Sequence, residues 1–312
     1  MSRRRSGPEV PPGFVLLDKP GGVTSHDMVN RVRRLVGTRR VGHAGTLDPA
    51  ATGVLVLGVG RATRLLGPIA AADKSYRATI RLGESTTTDD AEGATVSTVN
   101  ASRVTPDDLT ALLPAFHGLI RQRPSAVSAI KVDGRRAYAR VRAGENVELA
   151  DREVRVDSIR LIGWHPAGDV VDADIDVTCG SGTYIRALAR DLGDSLGVGG
   201  HVRTLRRTRL GPLPVADCVD LVTFESDPQV VPLAVAGARW FPVVPVSREQ
   251  TVEVSFGRPI PGGPDFSSPQ VLLADPDGQV VALAKPKDGM LAPVLVFADP
   301  IVVDRSDSGG TR

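Results

Sequence analysis

Residues 40–54 read Arg-Val-Gly-His-Ala-Gly-Thr-Leu-Asp-Pro-Ala-Ala-Thr-Gly-Val, which sets one carboxylate, Asp48, among Gly42, Gly45, Gly53, His43 and Pro49. Glycine permits positive φ and close backbone approach, so a run this rich in it reads as a tight loop. Pro49 biases the residue before it toward extended backbone, giving Asp48 a fixed exit angle. Arg31, Arg33, Arg34, Arg39 and Arg40 lead directly into the loop. A lone carboxylate in a basic, glycine-rich loop points to chemistry on a polyanion, with the ionised group acting as nucleophile or as proton acceptor. On composition alone the competing reading is an ordinary Gly/Asp/Pro surface turn.

The bulk sequence narrows the chemistry. With 312 residues and 41% hydrophobic content, the chain has room for one large domain and a small one. No apolar run is long enough to span a bilayer, and the start, Met-Ser-Arg-Arg-Arg-Ser-Gly, lacks the apolar stretch of a secretory signal, so a cytoplasmic location is expected. Only Cys179 and Cys218 occur, which excludes a disulfide framework and a cysteine-rich zinc site. The five histidines show no His-x-x-x-His spacing, and neither a P-loop nor a dinucleotide fingerprint appears. The expectation is an enzyme without cofactor or metal. Net charge is only +2, but residues 1–64 carry 11 Lys/Arg against 4 Asp/Glu and residues 121–142 carry 7 against 1, whereas residues 251–312 carry 5 against 8. Such blocks are the footprint of a nucleic-acid-binding face; a solvated arginine-rich surface is the alternative.

The elements that must position the loop follow from periodicity. Phe14–Leu17 reads as a short strand ending in an Asp-Lys-Pro-Gly-Gly turn. Ser25 is the expected N-cap of a helix with Met28, Val29, Val32, Leu35 and Val36 on its apolar side, ended by Gly37. After the loop, Val54–Leu57 is a buried strand. Tyr76, Ala78, Ile80 and Leu82 alternate with Arg77, Thr79 and Arg81, which starts a strand at Tyr76 with its ring on the apolar face. Thr105-Pro106 opens a helix with Leu109, Leu112, Leu113 and Phe116 in phase, preceded by a polar, acidic loop over residues 85–93. Ala173, Ile175, Val177 and Cys179 alternate with aspartates, and the strand runs into Gly-Ser-Gly-Thr-Tyr-Ile-Arg186 and a helix bearing Leu188, Leu192 and Leu196. Arg203, Arg206, Arg207 and Arg209 form a cluster after it. Val271–Ala274 and Val280–Leu283, joined by Asp-Pro-Asp-Gly, make a hairpin, and Val294–Phe297 adds a strand.

The pattern Gly-His-x-Gly-x-Leu-Asp-Pro-x-Ala-x-Gly resembles the catalytic motif of the TruB family, the tRNA pseudouridine-55 synthases. Lys74-Ser-Tyr76, Gly182-Thr-Tyr-Ile-Arg186, Leu17-Asp-Lys-Pro-Gly21 and Pro124-Ser…Ser128-Ala-Ile-Lys131 match further family pieces in order and spacing over most of residues 14–210. The resemblance implies an α+β fold: a mixed, largely antiparallel sheet with flanking helices, plus a small C-terminal β-rich, PUA-like domain. It divides the chain into a basic tail (1–12), a catalytic domain (13–240) with an RNA-gripping insertion at about 84–150, the small domain (241–304) and a tail (305–312), both tails being disordered.

The activity implied is isomerisation of uridine 55 in the T arm of tRNA by base flipping, with no cofactor, no metal, no membrane and no required protein partner, by a monomer. Asp48 is the catalytic carboxylate, with no other acidic residue expected in comparable surroundings, and Arg186 is its partner. Tyr76 stacks on the extruded base and accepts or relays the proton leaving C5. His43 fills the vacated space; Lys19, Pro20, Tyr184, Lys131 and Leu205 contribute to substrate binding. Ser181 stands where many members have Lys, which removes one phosphate contact. The small domain is acidic, so its removal near residue 240 is expected chiefly to weaken RNA affinity. The rivals are a guide-RNA-dependent synthase acting on ribosomal RNA and a tRNA-folding chaperone that binds the T arm.

Overall fold

Alternation along one long strand sets the layout. In β4 (Lys74–Leu82) the residues Tyr76, Ala78, Ile80 and Leu82 are buried while the intervening ones face outward. Its neighbour β7 (Val170–Cys179) buries Ala173, Ile175 and Val177 on the same face. On the opposite face the two strands are laced by Arg77–Asp176, Thr79–Asp174 and a two-pronged Arg81–Asp172 pair with contacts of 2.8 and 2.9 Å. Apolar packing on one face and ion pairing on the other fix the register, because a one-residue slip would invert both.

The computed structural model describes residues 10–125, 150–262 and 268–299, with residues 131–132 and 135–136 as backbone alone. The fold is α+β. Besides β4 and β7, the large sheet contains β1 (Gly13–Lys19), β2 (Val41–His43), β3 (Thr52–Val59), β5 (Gly118–Gln122), β6 (Arg152–Ala167), β8 (Gly200–Leu210) and β9 (Val219–Asp220). Its order is β9-β1-β3-β8-β4-β7-β6-β5, with β2 paired to the outer half of β3. Along this path only β9/β1 and β3/β8 run parallel. Helix α1 (Ser25–Val36) buries Met28, Val29 and Val32 against β1 and β3. Short helices α2 (Leu66–Ala70) and α3 (Pro106–Leu112) flank the sheet. Helix α4 (Ile185–Ser195) packs Leu188 and Leu192 into the core formed by β4 and β7.

Gly37 closes α1 in the left-handed conformation, as its position predicts, but the N-cap is Thr24 rather than Ser25. Thr24 Oγ1 accepts from the Asp27 N–H and the Asp27 carboxylate accepts from the Thr24 N–H, a reciprocal box that meets two end donors at once. Ser25 is thereby released for another task.

From Val243 a second sheet begins, built from β10 (Val243–Pro245), β11 (Ile260–Pro261), β12 (Val271–Ala274), β13 (Val280–Lys287) and β14 (Met290–Val296) in the order β10-β12-β13-β14-β11. It does not keep its core to itself. Leu272, Leu283 and Phe297 share one hydrophobic cluster with Phe14, Val54, Leu65, Leu66 and Ile69 of the main body. Arg61 grips the Asp299 carboxylate at 2.8 and 2.9 Å and donates to the Phe297 carbonyl; Arg64 donates to the Val296 carbonyl and lies 5.7 Å from the Phe297 ring centre. Removal near residue 240 therefore strips an apolar wall from the main body as well as removing surface. Arg31 is likewise tied to Glu225 at 2.8 Å, so part of the N-terminal basic block serves the fold.

Because the two sheets share a core, they should unfold together. Phe297→Ala removes a ring that is almost wholly buried and is expected to cost about 3–5 kcal/mol. Urea melts followed by tryptophan fluorescence and by far-UV circular dichroism should shift together as one transition. A C-terminal transition that separates from the main one would show that the shared cluster does not couple the parts.

Candidate active site

An open cleft of about 280 Å³ sits where the β2–β3 loop, the start of α4 and the strands β4 and β8 converge. It brings together Asp48, Tyr76, Tyr184, Arg186 and Leu205, which come from four separate stretches of sequence, with Lys74, Ser181 and Arg207 alongside. Lys19 and Pro20, at the end of β1, do not line it, and neither does His43, the last residue of β2. Lys131 lies on a two-residue strand whose side chains fall outside the described residues.

The Asp48 loop is held from several sides. β2 pairs with β3 from Val41↔Val59 to His43↔Leu57, and the Ala44 N–H reaches the Val56 carbonyl, so both ends of the loop are clamped. Within it the Ala51 N–H donates to the Asp48 carbonyl at 3.1 Å, closing a turn around Pro49. Ser25, freed from capping, accepts from the Leu47 N–H at 2.9 Å and donates to the Leu47 carbonyl at 3.1 Å. Lys19 is fully buried; its ammonium donates to the carbonyls of Pro20, Val23 and Pro49 at 2.9, 2.7 and 3.1 Å. These bonds hold the residues on either side of Asp48, a placement that motif matching assigns to the cleft lining instead.

Arg186 is the second residue of α4 and almost completely buried. Its Nε lies 3.1 Å from Asp48 Oδ2, while its Nη1 lies 3.0 Å from Asp90 Oδ2 and donates to the Thr88 carbonyl at 3.0 Å. The guanidinium is thus shared between two carboxylates. Asp90 contradicts the expectation that Asp48 has no acidic companion. Its acidic loop carries no glycine-rich basic signature; what brings it in is pairing with β8, where the Ala91 N–H and the Asp89 carbonyl both bond Val202. One helical turn beyond Arg186, Arg190 pairs with Asp89 at 3.0 Å, and Asp89 takes a positive φ of 58° to reach it. Consecutive aspartates thus meet arginines spaced i,i+4. Gln122 completes the support: its side chain accepts from the Tyr184 N–H at 2.8 Å and donates to the Tyr184 carbonyl at 3.0 Å, at the mouth of α4.

The electrostatics follow from this geometry. Burial against the cleft walls pushes the Asp48 carboxyl above the usual carboxylate range, Arg186 pulls it back, and Asp90 adds to the upward push. Tyr76 is buried on the sheet's apolar face, and its phenol is pushed up by the same loss of water. Lys19 and Lys74 are both lowered to about 8, chiefly by burial. The Cys179 thiol, deep in the core, is raised to about 11. Among the described residues no group of three or more His, Cys, Asp or Glu is placed to hold a metal ion, and no helix is long and apolar enough to cross a membrane.

The chain superposes on a chain of a solved Cbf5-Nop10-Gar1 complex with a TM-score of 0.67 at 25% identity, covering 92% of this chain and 85% of that one. Residues 33–185 match the N-terminal domain of the TruB family pseudouridylate synthases, and residues 186–229 match the tRNA pseudouridylate synthase B C-terminal domain. The chain belongs to the TruB family of pseudouridylate synthases. Proteins named tRNA pseudouridine synthase B from Thermobifida fusca (strain YX) and Arthrobacter sp. (strain FB24) are 54% and 51% identical to it over 92% of its length and 98% and 96% of theirs. One from Mycobacterium ulcerans (strain Agy99) is 49% identical over 95% of this chain and 98% of its own. Both family matches end before β10, so the domain called C-terminal there comprises α4 and β8 of the main sheet rather than the small β sheet.

The buried lysine gives a signed prediction. An amine with a pKa near 8 in the fold and near 10.5 in the unfolded chain leaves the unfolded state binding more protons between those values, so unfolding free energy rises with pH across that window. The contribution is the difference between the native chain and Lys19→Met, since the buried thiols act in the opposite direction. That difference should grow in favour of the native chain from pH 8 to 10, measured by urea melts. A flat or falling difference would mean that Lys19 keeps an ordinary pKa.

Proposed function

We propose that this chain isomerises uridine to pseudouridine at position 55 in the T arm of tRNA, with Asp48 as the reacting carboxylate. The observation that carries the reading is the Asp48–Arg186 pair at 3.1 Å in a cleft that also holds Tyr76. Relatives at about half identity over nearly their whole length are named for tRNA, and these outweigh the fold-level likeness to complexes that contain further proteins. The basic blocks of the sequence fit a polyanionic substrate. A monomer acting in the cytoplasm on tRNA, without a partner protein, is the simplest form of this reading.

In the isomerisation the N1–C1′ bond of the uridine breaks, C5 of the same ring bonds to C1′, a proton leaves C5 and N1 ends protonated. Atoms and electrons balance within the substrate, so neither an oxidant nor a transferred group is needed. The ring must first leave the stack, at a cost of a few kcal/mol. Asp48 acts toward the sugar as nucleophile or base, and Arg186 keeps it ionised and oriented despite burial. Tyr76 offers the base an aromatic face, and its hydroxyl takes or relays the proton from C5. Tyr184 and Leu205 form further wall, and His43 fills the space the base leaves. Lys19 and Pro20 act through the loop, and Lys131 lies on the basic segment that grips RNA. Ser181 leaves one fewer cation at the mouth of the cleft.

Asp48→Asn is nearly isosteric and leaves the loop's supports in place, while the amide has neither charge nor basicity. With one unmodified tRNA as substrate, chemical mapping of pseudouridine should show full conversion at position 55 by the native chain and none by the variant, with tRNA binding kept within a few-fold. Conversion by Asp48→Asn would refute the mechanism; conversion at another site would refute the position; and a native chain that binds tRNA without converting it would favour the chaperone reading. Tyr76→Phe keeps the stacking face and loses the hydroxyl, so the rate of conversion should fall at least 100-fold with binding unchanged. Near-native turnover would reduce Tyr76 to a platform.

A further inference from the structure

Arg207 carries a positive charge with none of its surface exposed, the largest side chain among the described residues to be so completely buried. A buried guanidinium is tolerated only where its donors are met. Its partners account for its position. The register of β8 sets Arg207 opposite Tyr76 on β4 and, on the other side, opposite Gly53 on β3. It therefore stands where the strand leaving the Asp48 loop meets the strand that carries the phenol. Nε donates to the Val54 carbonyl at 2.7 Å, Nη2 to Gly45 at 3.2 Å and Nη1 to Thr46 at 3.4 Å. These carbonyls lie before and after Asp48 in the chain. Arg207 and Tyr76 line the same cleft from facing positions on neighbouring strands, and the guanidinium's charge draws the phenol's pKa down against the upward push of burial.

The backbone is shaped to admit this side chain. β3 and β8 pair only at Thr52 and Gly53. A Cβ on Gly53 would lie 2.1 Å from the Arg207 carbonyl oxygen, and Gly53 has a φ of 104°, so no other residue fits there. Gly45 is favoured as well, because its φ of 88° lies in the left-handed region. Lys74, the neighbouring cation, keeps its ammonium on the carbonyls of Ala70 and Ala72 at 2.8 Å each, so the loop is left to Arg207.

We propose that Arg207 is a positioning residue for the reaction, fixing the separation of the Asp48 carboxylate and the Tyr76 hydroxyl by bonding the loop of the first and bracing the second. The inference rests on the pseudouridine-forming reading above. A residue that only filled the core would affect stability. One that sets the distance between two reacting groups affects the chemical step and spares binding.

The test compares Arg207→Met, which keeps the stem and loses every donor, with Arg207→Lys, which keeps the charge and loses the fork. The full chain is assayed on unmodified tRNA for kcat, KM and tRNA affinity, with thermal melts to confirm folding. Arg207→Met should lose at least 100-fold in kcat with KM and affinity within threefold, and Arg207→Lys should fall between it and the native chain. A folded Arg207→Met with kcat within fivefold of native overturns the proposal, as does a loss that appears in KM rather than kcat. If Arg207→Met does not fold, Arg207→Lys decides: kcat down at least fivefold at constant KM supports the proposal, and native kcat overturns it. A native chain that forms no pseudouridine would instead overturn the functional reading itself.

Discussion

The structure depends on one ion pair, between the half-exposed carboxylate of Asp48 in the cleft and the buried guanidinium of Arg186. Loss of water pushes Asp48 toward its neutral form, and Arg186, 3.1 Å away, is the direct counterweight among the described residues. A guanidinium placed there loses hydration of its own, and Asp90 and the Thr88 carbonyl supply further contacts. This fixes the loop over residues 87–93 against the start of α4, and Arg190 with Asp89 fastens it a turn further on. Sharing one guanidinium between two carboxylates is a compromise: a closer hold by Asp90 weakens the hold on Asp48.

Around that centre the polar and apolar faces of the sheet divide the labour. One face of β4 and β7 packs against α4 and gives the cleft a rigid floor. The other face carries cross-strand Arg–Asp pairs that leave the strands no freedom to slide. The exposed Arg77–Asp176 pair contributes little to stability, whereas the Asp172 carboxylate is buried and held by Arg81. Their value here is the register of β4 on β7, while the position of Tyr76 relative to Arg207 is set by which residues of β4 and β8 stand opposite each other.

What could be read from the chain divides along physical lines. Asp48, Tyr76 and Arg186 each lie in a stretch whose local pattern is distinctive, and the structure brings all three to one cleft. The alternation in β4 and β7 and the closure of α1 by Gly37 were legible because they depend on neighbours a few residues away. Asp90 was not, because its nearness to Arg186 follows from an encounter between segments 96 residues apart. Nor was the inward turn of Arg207, which looks in the sequence like one more member of a basic cluster; its bond to Val54 spans 153 residues. The exchange of roles between Thr24 and Ser25 was open to recognition, since Asp27 stands three residues after Thr24 and completes a capping box. The shared core of the two sheets has no local signature at all.

The supports of the Asp48 loop come from far-separated parts of the chain: Lys19 and Ser25 from before it, Arg207 from more than 150 residues after it. No early fragment of the protein emerging from synthesis can contain all of them. Closing so long a span is slow, because the entropy of bringing distant segments together is lost before their contacts are gained. Until β8 has docked between β3 and β4, the loop lacks the arginine that braces it, and the Asp48 carboxylate has no defined place. The cleft is thus completed with the last strands of the sheet rather than assembled piece by piece, and a nascent or half-folded chain has no formed cleft.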